Sequence, residues 1–130
     1  MIPNFRKIPA SKPKEQNIQS SLVRWMKKQY PKMLFTASAG GLHTSKTQAI
    51  KMKHAGYVAG CPDMMIFEPR GGYFGLFIEL KRPGNKATPE QILFIENLRL
   101  RNYHALVCTG LDEAMESISK YMALDVTKLL

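Results

Sequence analysis

The sequence lacks the patterns that are typical of three classes of protein: zinc-binding or redox-active thiol proteins, membrane proteins and proteins with a signal peptide. Its two cysteines, Cys61 and Cys108, form no C-x-x-C pair, so a zinc knuckle or a thiol redox motif has no support. No apolar run approaches the roughly 20 residues that a membrane span requires. The first residues contain no apolar core of signal-peptide length. We therefore expect reduced thiols and a cytoplasmic location.

Acidic residues are almost absent from the first half of the chain. Residues 1–60 contain 11 Lys/Arg and a single acid, Glu15, whereas residues 61–130 contain 8 Lys/Arg and 9 acids. The formal net charge of +9 therefore comes from the first half. A polarised basic surface attracts polyanions, and nucleic acid is the most common polyanionic partner. A merely solvated basic surface is the alternative, and we favour nucleic acid.

The length and the apolar content indicate one domain with its own core. The chain has 130 residues, of which 45% are hydrophobic, and such a chain can bury a core without disulfides. Residues 1–13 mix prolines with basic residues and are predicted to form a flexible arm. The folded domain is predicted over 14–122, followed by a tail at 123–130.

Hydrophobic periodicity predicts an α/β domain in the order α-β-α-β-β-α-β-α. In the first helix, Ile18, Leu22 and Met26 recur at helical spacing, and Glu15 lies on the same face. Thr88 and Gln91 form a capping-box pattern at the start of the third helix. The predicted helices cover 14–31, 45–57, 88–102 and 111–122, and the predicted strands cover 32–38, 64–67, 73–81 and 104–110. Helices are expected to pack on a small sheet.

Two opposite charges end the most apolar strand, in the stretch "YFGLFIELKRPG". Side chains alternate across a strand, so Leu76, Ile78 and Leu80 point one way. Glu79 and Lys81 point the other way and are neighbours about 7 Å apart along the strand. A surface ion pair on an edge strand is the simpler alternative, but such pairs contribute little to stability.

Asp63 begins the preceding strand and is predicted to meet Glu79. The segment "EPRGG" between the two strands is rich in turn residues, which predicts an antiparallel hairpin. The start of one strand then lies beside the end of the other. Two adjacent carboxylates repel unless a cation lies between them, and hard oxygen ligands suit Mg²⁺ or Mn²⁺. We expect Asp63 and Glu79 to hold such an ion, and Lys81 to orient a water or stabilise charge on a phosphate. Alone, Asp63 could merely cap a turn.

The residues "PD" at 62–63 and "ELK" at 79–81 resemble the motif of the PD-(D/E)xK nuclease superfamily. The longer string "GCPDMMIF…GLFIELKRPGNKATPEQ" resembles the VRR-NUC (virus-type replication-repair nuclease) family, and the resemblance extends over about residues 14–122. The features that carry it are a glycine two residues before Pro-Asp, a Glu-x-Lys strand, a Pro-Gly loop, and a glutamine opening the next helix. It implies a restriction-endonuclease-like core whose β-hairpin carries the active site.

The resemblance also implies an activity and a set of site residues. It implies a Mg²⁺- or Mn²⁺-dependent endonuclease that hydrolyses DNA phosphodiesters, with Asp63 and Glu79 as metal ligands and Lys81 as the catalytic lysine. Gln91 resembles an additional polar active-site residue, although it could simply cap its helix. Glu15 resembles the acid of the first helix that completes the metal-binding carboxylates, although an acid is also favoured at any helix start.

Short stand-alone members of this family from viruses or bacteria are associated with homodimers that cut four-way (Holliday) junctions. We expect the same here, because two symmetric cuts need two sites and each chain supplies one. A flap or duplex endonuclease of the same superfamily is one alternative, and a non-catalytic DNA-binding module is another. The predicted phosphate-contacting residues are Arg6, Lys7, Lys12, Lys14, Lys46, Lys51, Lys53, Arg82 and Lys86.

Overall fold

The structure is a computed structural model that describes residues 15–39 and 45–128. It contains four helices and four strands in these residues, in the predicted order. In chain order they are α1 (Glu15–Gln29), β1 (Phe35–Ala37), α2 (Lys46–His54), β2 (Met64–Ile66), β3 (Leu76–Lys81), α3 (Pro89–Leu100), β4 (His104–Thr109) and α4 (Leu111–Met122). The predicted α/β class is thereby confirmed.

The four strands form one mixed sheet in the order β1-β2-β3-β4. β1 pairs with β2, and β2 with β3, in antiparallel fashion, whereas β3 and β4 are parallel. A parallel pair needs a long crossover connection, and α3 supplies it. This crossover brings the first turn of α3 close to the end of β3.

The two faces of the sheet bury different helices. The alternating side chains of β3 that include Leu76, Ile78 and Leu80 form the larger cluster with α1 and α4. Phe77 points to the other face, where it packs with Ile95 of α3 and its neighbours. Because β3 is covered on both faces, all six of its residues are buried. The strand therefore places polar side chains in an environment with little water.

The hairpin strands are shorter than their apolar pattern suggests. We predicted strands over 64–67 and 73–81, but β2 ends at Ile66 and β3 begins at Leu76. Residues 69–73 instead pair with a segment near the C-terminus: Gly71 N donates to Asp125 O at 2.7 Å, and Thr127 N donates to Pro69 O at 3.1 Å. This segment, Asp125–Thr127, is called the strap below. It binds the tip of the hairpin. Phe67 N and Phe74 N, next to the strand ends, donate to Leu34 O and Asn102 O and so do not extend the pairing of β2 with β3.

Within the described part of the chain, no helix is both long enough and apolar enough to cross a membrane.

Candidate active site

The open end of the β2–β3 hairpin brings the two predicted carboxylates together. Met64 is paired with Ile78, so Asp63 and Glu79 occupy the next position of the same register. Asp63 is held there because its Oδ2 accepts a hydrogen bond of 2.7 Å from the backbone N–H of Leu80. The hairpin therefore places the two acids side by side, as the alternation predicted.

The carboxylate of Glu79 is buried and receives two polar partners at one oxygen. Glu79 is only 3% exposed and Lys81 is 7% exposed. Gln91 Nε2 donates to Glu79 Oε1 at 2.7 Å, and Lys81 Nζ lies 3.5 Å from the same oxygen. The other oxygen, Oε2, is buried without a hydrogen-bond partner among the described residues. Asp63, Glu79, Lys81 and Gln91 thus form one cluster, which we call the carboxylate cluster.

Burial dominates the electrostatics of this cluster. It raises the pKa of Glu79 from 4.5 to about 8; repulsion from Asp63 adds to the rise, and attraction to Lys81 opposes it. A buried carboxyl with a raised pKa and a charged partner is typical of functional sites. Attraction to Lys81 alone therefore does not offset the cost of ionising the buried Glu79 carboxyl.

Gln91 serves two structural purposes through the two ends of its amide. The side-chain Oε1 of Gln91 accepts a hydrogen bond from Thr88 N at 2.9 Å, and the backbone N–H of Gln91 donates to Thr88 Oγ1 at 3.3 Å. The predicted capping box is therefore present, and it leaves Nε2 free to reach Glu79. Helix capping and contact with the carboxylate coexist in one side chain.

Gly60 allows the loop before Asp63 to approach the start of α3. Its φ is +93°, and a Cβ at this position would lie 2.5 Å from the carbonyl oxygen of Glu90. No other residue could occupy this place without moving the backbone. The Pro-Asp loop and the helix that carries Gln91 are therefore in direct contact.

Two further side chains lie beside the carboxylates, and the sequence interpretation gave them no role in the site. Burial, Cys61, Glu79 and Asp63, in that order, raise the pKa of the Tyr57 phenol. Burial also raises the pKa of the Cys61 thiol, with smaller contributions from Glu79 and Asp63. Both residues lie in the loop between α2 and Asp63. The signal in the sequence for a place near the site was that Tyr57 and Cys61 lie within a few residues of the Pro-Asp pair at 62–63.

The predicted phosphate-contacting residues fall into three groups. Lys46, Lys51 and Lys53 are exposed on α2, a helix that buries none of its residues. Arg82 and Lys86 are exposed in the loop that follows Lys81. The third group, Arg6, Lys7, Lys12 and Lys14, lies outside the described residues.

Glu15 begins α1, but its side chain is not among those that the structure describes. Its proposed role as a third metal-binding carboxylate therefore stays a prediction. Within residues 15–39 and 45–128, no group of three or more His, Cys, Asp or Glu side chains is placed to hold a metal ion.

The cluster nevertheless fits a hard divalent cation. Asp63 and Glu79 offer oxygen ligands, and the buried Glu79 Oε2 has no hydrogen-bond partner among the described residues. Mg²⁺ is commonly bound through one or two carboxylates and keeps several waters. Two protein carboxylates are therefore sufficient for such an ion.

Comparison with known proteins agrees with this fold. The family model described as VRR-NUC domain matches residues 6–112. A solved structure of a protein called "VRR_NUC domain protein" superposes with a TM-score of 0.77 and 33% sequence identity, covering 92% of this chain and 99% of that chain. No curated protein matches the sequence.

The mixed sheet and the buried carboxylate cluster define a nuclease-like α/β domain. The chain belongs to the VRR-NUC domain family, a family of nucleases. DNA is the substrate that this membership implies.

The raised pKa of Glu79 predicts a pH-dependent stability of the metal-free protein. Between pH 4.5 and about 8, the folded state retains a proton that the unfolded state releases, so the free energy of unfolding falls as pH rises. The slope reaches about 1.4 kcal/mol per pH unit. Glu79→Gln should remove this fall, as measured by urea denaturation in EDTA at a series of pH values.

Glu116→Gln is the matched control, because Glu116 is an exposed glutamate paired with Lys120 on α4. In this variant the free energy of unfolding should still fall as pH rises, as it does in the wild type. Parallel pH profiles for wild type and Glu79→Gln would contradict the assigned environment of Glu79.

Proposed function

We propose that the protein is a Mg²⁺- or Mn²⁺-dependent endonuclease that cuts branched DNA as a homodimer. The observation that carries the proposal is the buried carboxylate of Glu79, which is adjacent to Asp63 and Lys81 and has one oxygen without a hydrogen-bond partner in residues 15–39 and 45–128. Membership of a nuclease family makes phosphodiester hydrolysis the matching chemistry.

Each residue of the carboxylate cluster has a role that follows from its contacts. Asp63 and Glu79 would hold the divalent ion, which supplies Lewis-acid polarisation of the phosphate and lowers the pKa of a bound water. Gln91 orients Glu79 by donating to Oε1, which leaves Oε2 available. The Lys81 ammonium, buried at the mouth of the site, supplies a fixed positive charge for the phosphate in the transition state.

Lys81→Met tests this assignment. Methionine keeps the buried length of the side chain but removes its charge, so we expect DNA cleavage with Mn²⁺ to fall at least about 100-fold. Binding of the same DNA, measured by fluorescence anisotropy with Ca²⁺ in place of Mn²⁺, should change little. EDTA should abolish cleavage by the wild type.

Lys120→Met, an exposed lysine on α4, is the control for removing one positive charge. It should cleave at the wild-type rate. Wild-type cleavage by Lys81→Met would show that Lys81 has no role in the reaction. If the wild type neither cleaves nor binds Mn²⁺ in a calorimetric titration, the chain is instead a non-catalytic DNA-binding module.

The surface next to the cluster supports a nucleic-acid substrate. α2 carries Lys46, Lys51 and Lys53 and no acidic residue, and it leads through Tyr57 directly to the Pro-Asp loop. Arg82 and Lys86 are exposed in the loop that directly follows Lys81. Exposed basic side chains in segments adjoining a metal site can neutralise successive phosphates of one strand.

The choice of DNA structure is the finer part of the proposal. We expect four-way junctions to be cut faster than flaps, and flaps faster than linear duplex, in assays with end-labelled substrates. Faster cutting of flaps would support the alternative flap endonuclease. Equal rates on all three would rule out structure selectivity and leave the nuclease assignment intact.

An exposed apolar groove on α3 gives the homodimer a surface. The groove has a volume of about 430 Å³ and lies between Val58–Ala59 and α3, where Leu93 and Phe94 form its floor. Val58 is 59% exposed and Leu93 is 60% exposed. Large apolar side chains grouped in this way mark interaction sites more often than bare solvent surface.

The charges at the ends of the groove favour a second copy of the chain. Glu90 and Arg101 line opposite ends, about 16 Å apart along the helix axis. A twofold axis across the middle of α3 would place Glu90 against Arg101 of the partner subunit, and the same pair would repeat by symmetry. An isologous interface requires this self-complementarity.

A charge exchange tests the interface. Size-exclusion chromatography with light scattering should give the wild type twice the 14.7 kDa mass of the chain. Arg101→Glu should yield monomers, because it places like charges opposite each other, and adding Glu90→Arg should restore the dimer. A monomeric wild type, or an Arg101→Glu variant that stays dimeric, would contradict this arrangement.

A further inference from the structure

Two buried side-chain oxygens lack a hydrogen-bond partner within the described residues, and they are Glu79 Oε2 and Ser38 Oγ. Buried polar atoms in folded proteins are nearly always paired, because an unpaired one loses its hydration without compensation. Each such atom therefore indicates a partner other than the side chains that the structure describes. Ser38 has no place in the mechanism described above.

The two oxygens lie in the same row of the sheet, on either side of Asp63. Ala37 pairs with Met64, and Met64 pairs with Ile78. The next position of this register contains Ser38, Asp63 and Glu79. The backbone confirms the continuation, because Ser38 N donates to Asp63 O at 2.8 Å.

Side-chain alternation puts the row on one face. Met64 and Ile78 point into the larger core, so Ser38, Asp63 and Glu79 point to the opposite face. Neighbouring strands are about 4.8 Å apart, which brings the Ser38 hydroxyl within reach of an atom bound at Asp63. Both unpartnered oxygens thus face the space in front of the Asp63 carboxylate.

The protein offers Ser38 one polar neighbour that falls short of being a partner. The Ser38 hydroxyl lies close enough to the Cys61 thiol to oppose the rise in the pKa of that thiol, but the contact does not have the geometry of a hydrogen bond. A thiol is in any case a weak donor and a weak acceptor. Cys61 therefore does not account for the burial of the hydroxyl.

We infer that Ser38 is a further positioning residue of the site, whose hydroxyl binds an oxygen ligand of the divalent cation held by Asp63 and Glu79. That oxygen belongs either to a water or to a phosphate of the DNA. The inference rests on the proposed metal-dependent function. It extends the site from the hairpin to the residue that follows β1, an edge strand that contributed no residue to the carboxylate cluster.

Ser38→Ala separates this role from a structural one, because it removes only the hydroxyl. We expect the free energy of unfolding in EDTA to be unchanged or higher, since an unpartnered buried oxygen is lost. We expect the affinity for whichever ligand supplies the bound oxygen, Mn²⁺ with its water or DNA with its phosphate, to fall about 10-fold or more, as for other residues that orient metal ligands. A lower stability in EDTA would identify a structural hydroxyl and overturn the inference.

Two binding measurements identify the source of the oxygen. Calorimetric titration with Mn²⁺ alone reports a metal-bound water, and anisotropy with DNA in Ca²⁺ reports a phosphate. A loss in either measurement, with stability maintained, supports the inference and names the ligand. Unchanged affinity in both would overturn it.

Two controls complete the design. Thr36→Ala removes an exposed hydroxyl two residues earlier on the same strand and should change neither affinity. Cys61→Ala should also leave both unchanged; if it reproduces the loss seen with Ser38→Ala, Ser38 acts only through the thiol and the inference fails. If the wild type binds Mn²⁺ and cleaves DNA, and Ser38→Ala has the same affinities as the wild type, only this inference is contradicted. The proposed function is then unaffected.

Discussion

The site depends on the burial of one carboxylate, that of Glu79, next to a second one. Removing a carboxylate from water costs several kcal/mol unless donors and opposite charge replace its hydration. Here the Gln91 side-chain N–H donates to one oxygen of Glu79, and the Lys81 ammonium lies near the same oxygen. Asp63 accepts its own hydrogen bond from the backbone N–H of Leu80. The remaining oxygen of Glu79 has no hydrogen-bond partner among the described residues, so the described part of the chain does not fully replace the hydration of this carboxylate.

The scaffold can hold this incomplete cluster because its members come from rigid elements. β3 is packed on both faces, which leaves Glu79 and Lys81 little freedom to turn towards solvent. The parallel β3–β4 pairing requires a crossover, and the crossover helix presents Gln91 at its first turn. The close contact at Gly60 then ties the Asp63 loop to the same helix. The topology thus fixes the relative positions of groups that repel one another.

Much of this could be predicted from local patterns, and the exceptions have physical reasons. Period-2 alternation and a turn-rich segment were enough to place Asp63 beside Glu79. The position of Ser38 could not be read, because β1 has three residues and its register is set by pairing across a long stretch of chain. The exposed groove was missed because α3 is apolar around most of its circumference, so its pattern does not identify the buried face. The shortening of the hairpin strands was missed because it goes with contacts distant in sequence, such as Phe67 N with Leu34 O and Phe74 N with Asn102 O.

The strap has a consequence for the order in which the molecule is completed. Gly71 and Gly72 at the hairpin tip donate to Asp125 and Thr127, 54 and 55 residues later. A ribosome delivers the chain from its N-terminus, and domains fold in that direction as they emerge. The tip therefore remains open while α3, β4 and α4 are being translated. Its closure has to await the synthesis of residues 125–127, which follow every member of the carboxylate cluster in the chain.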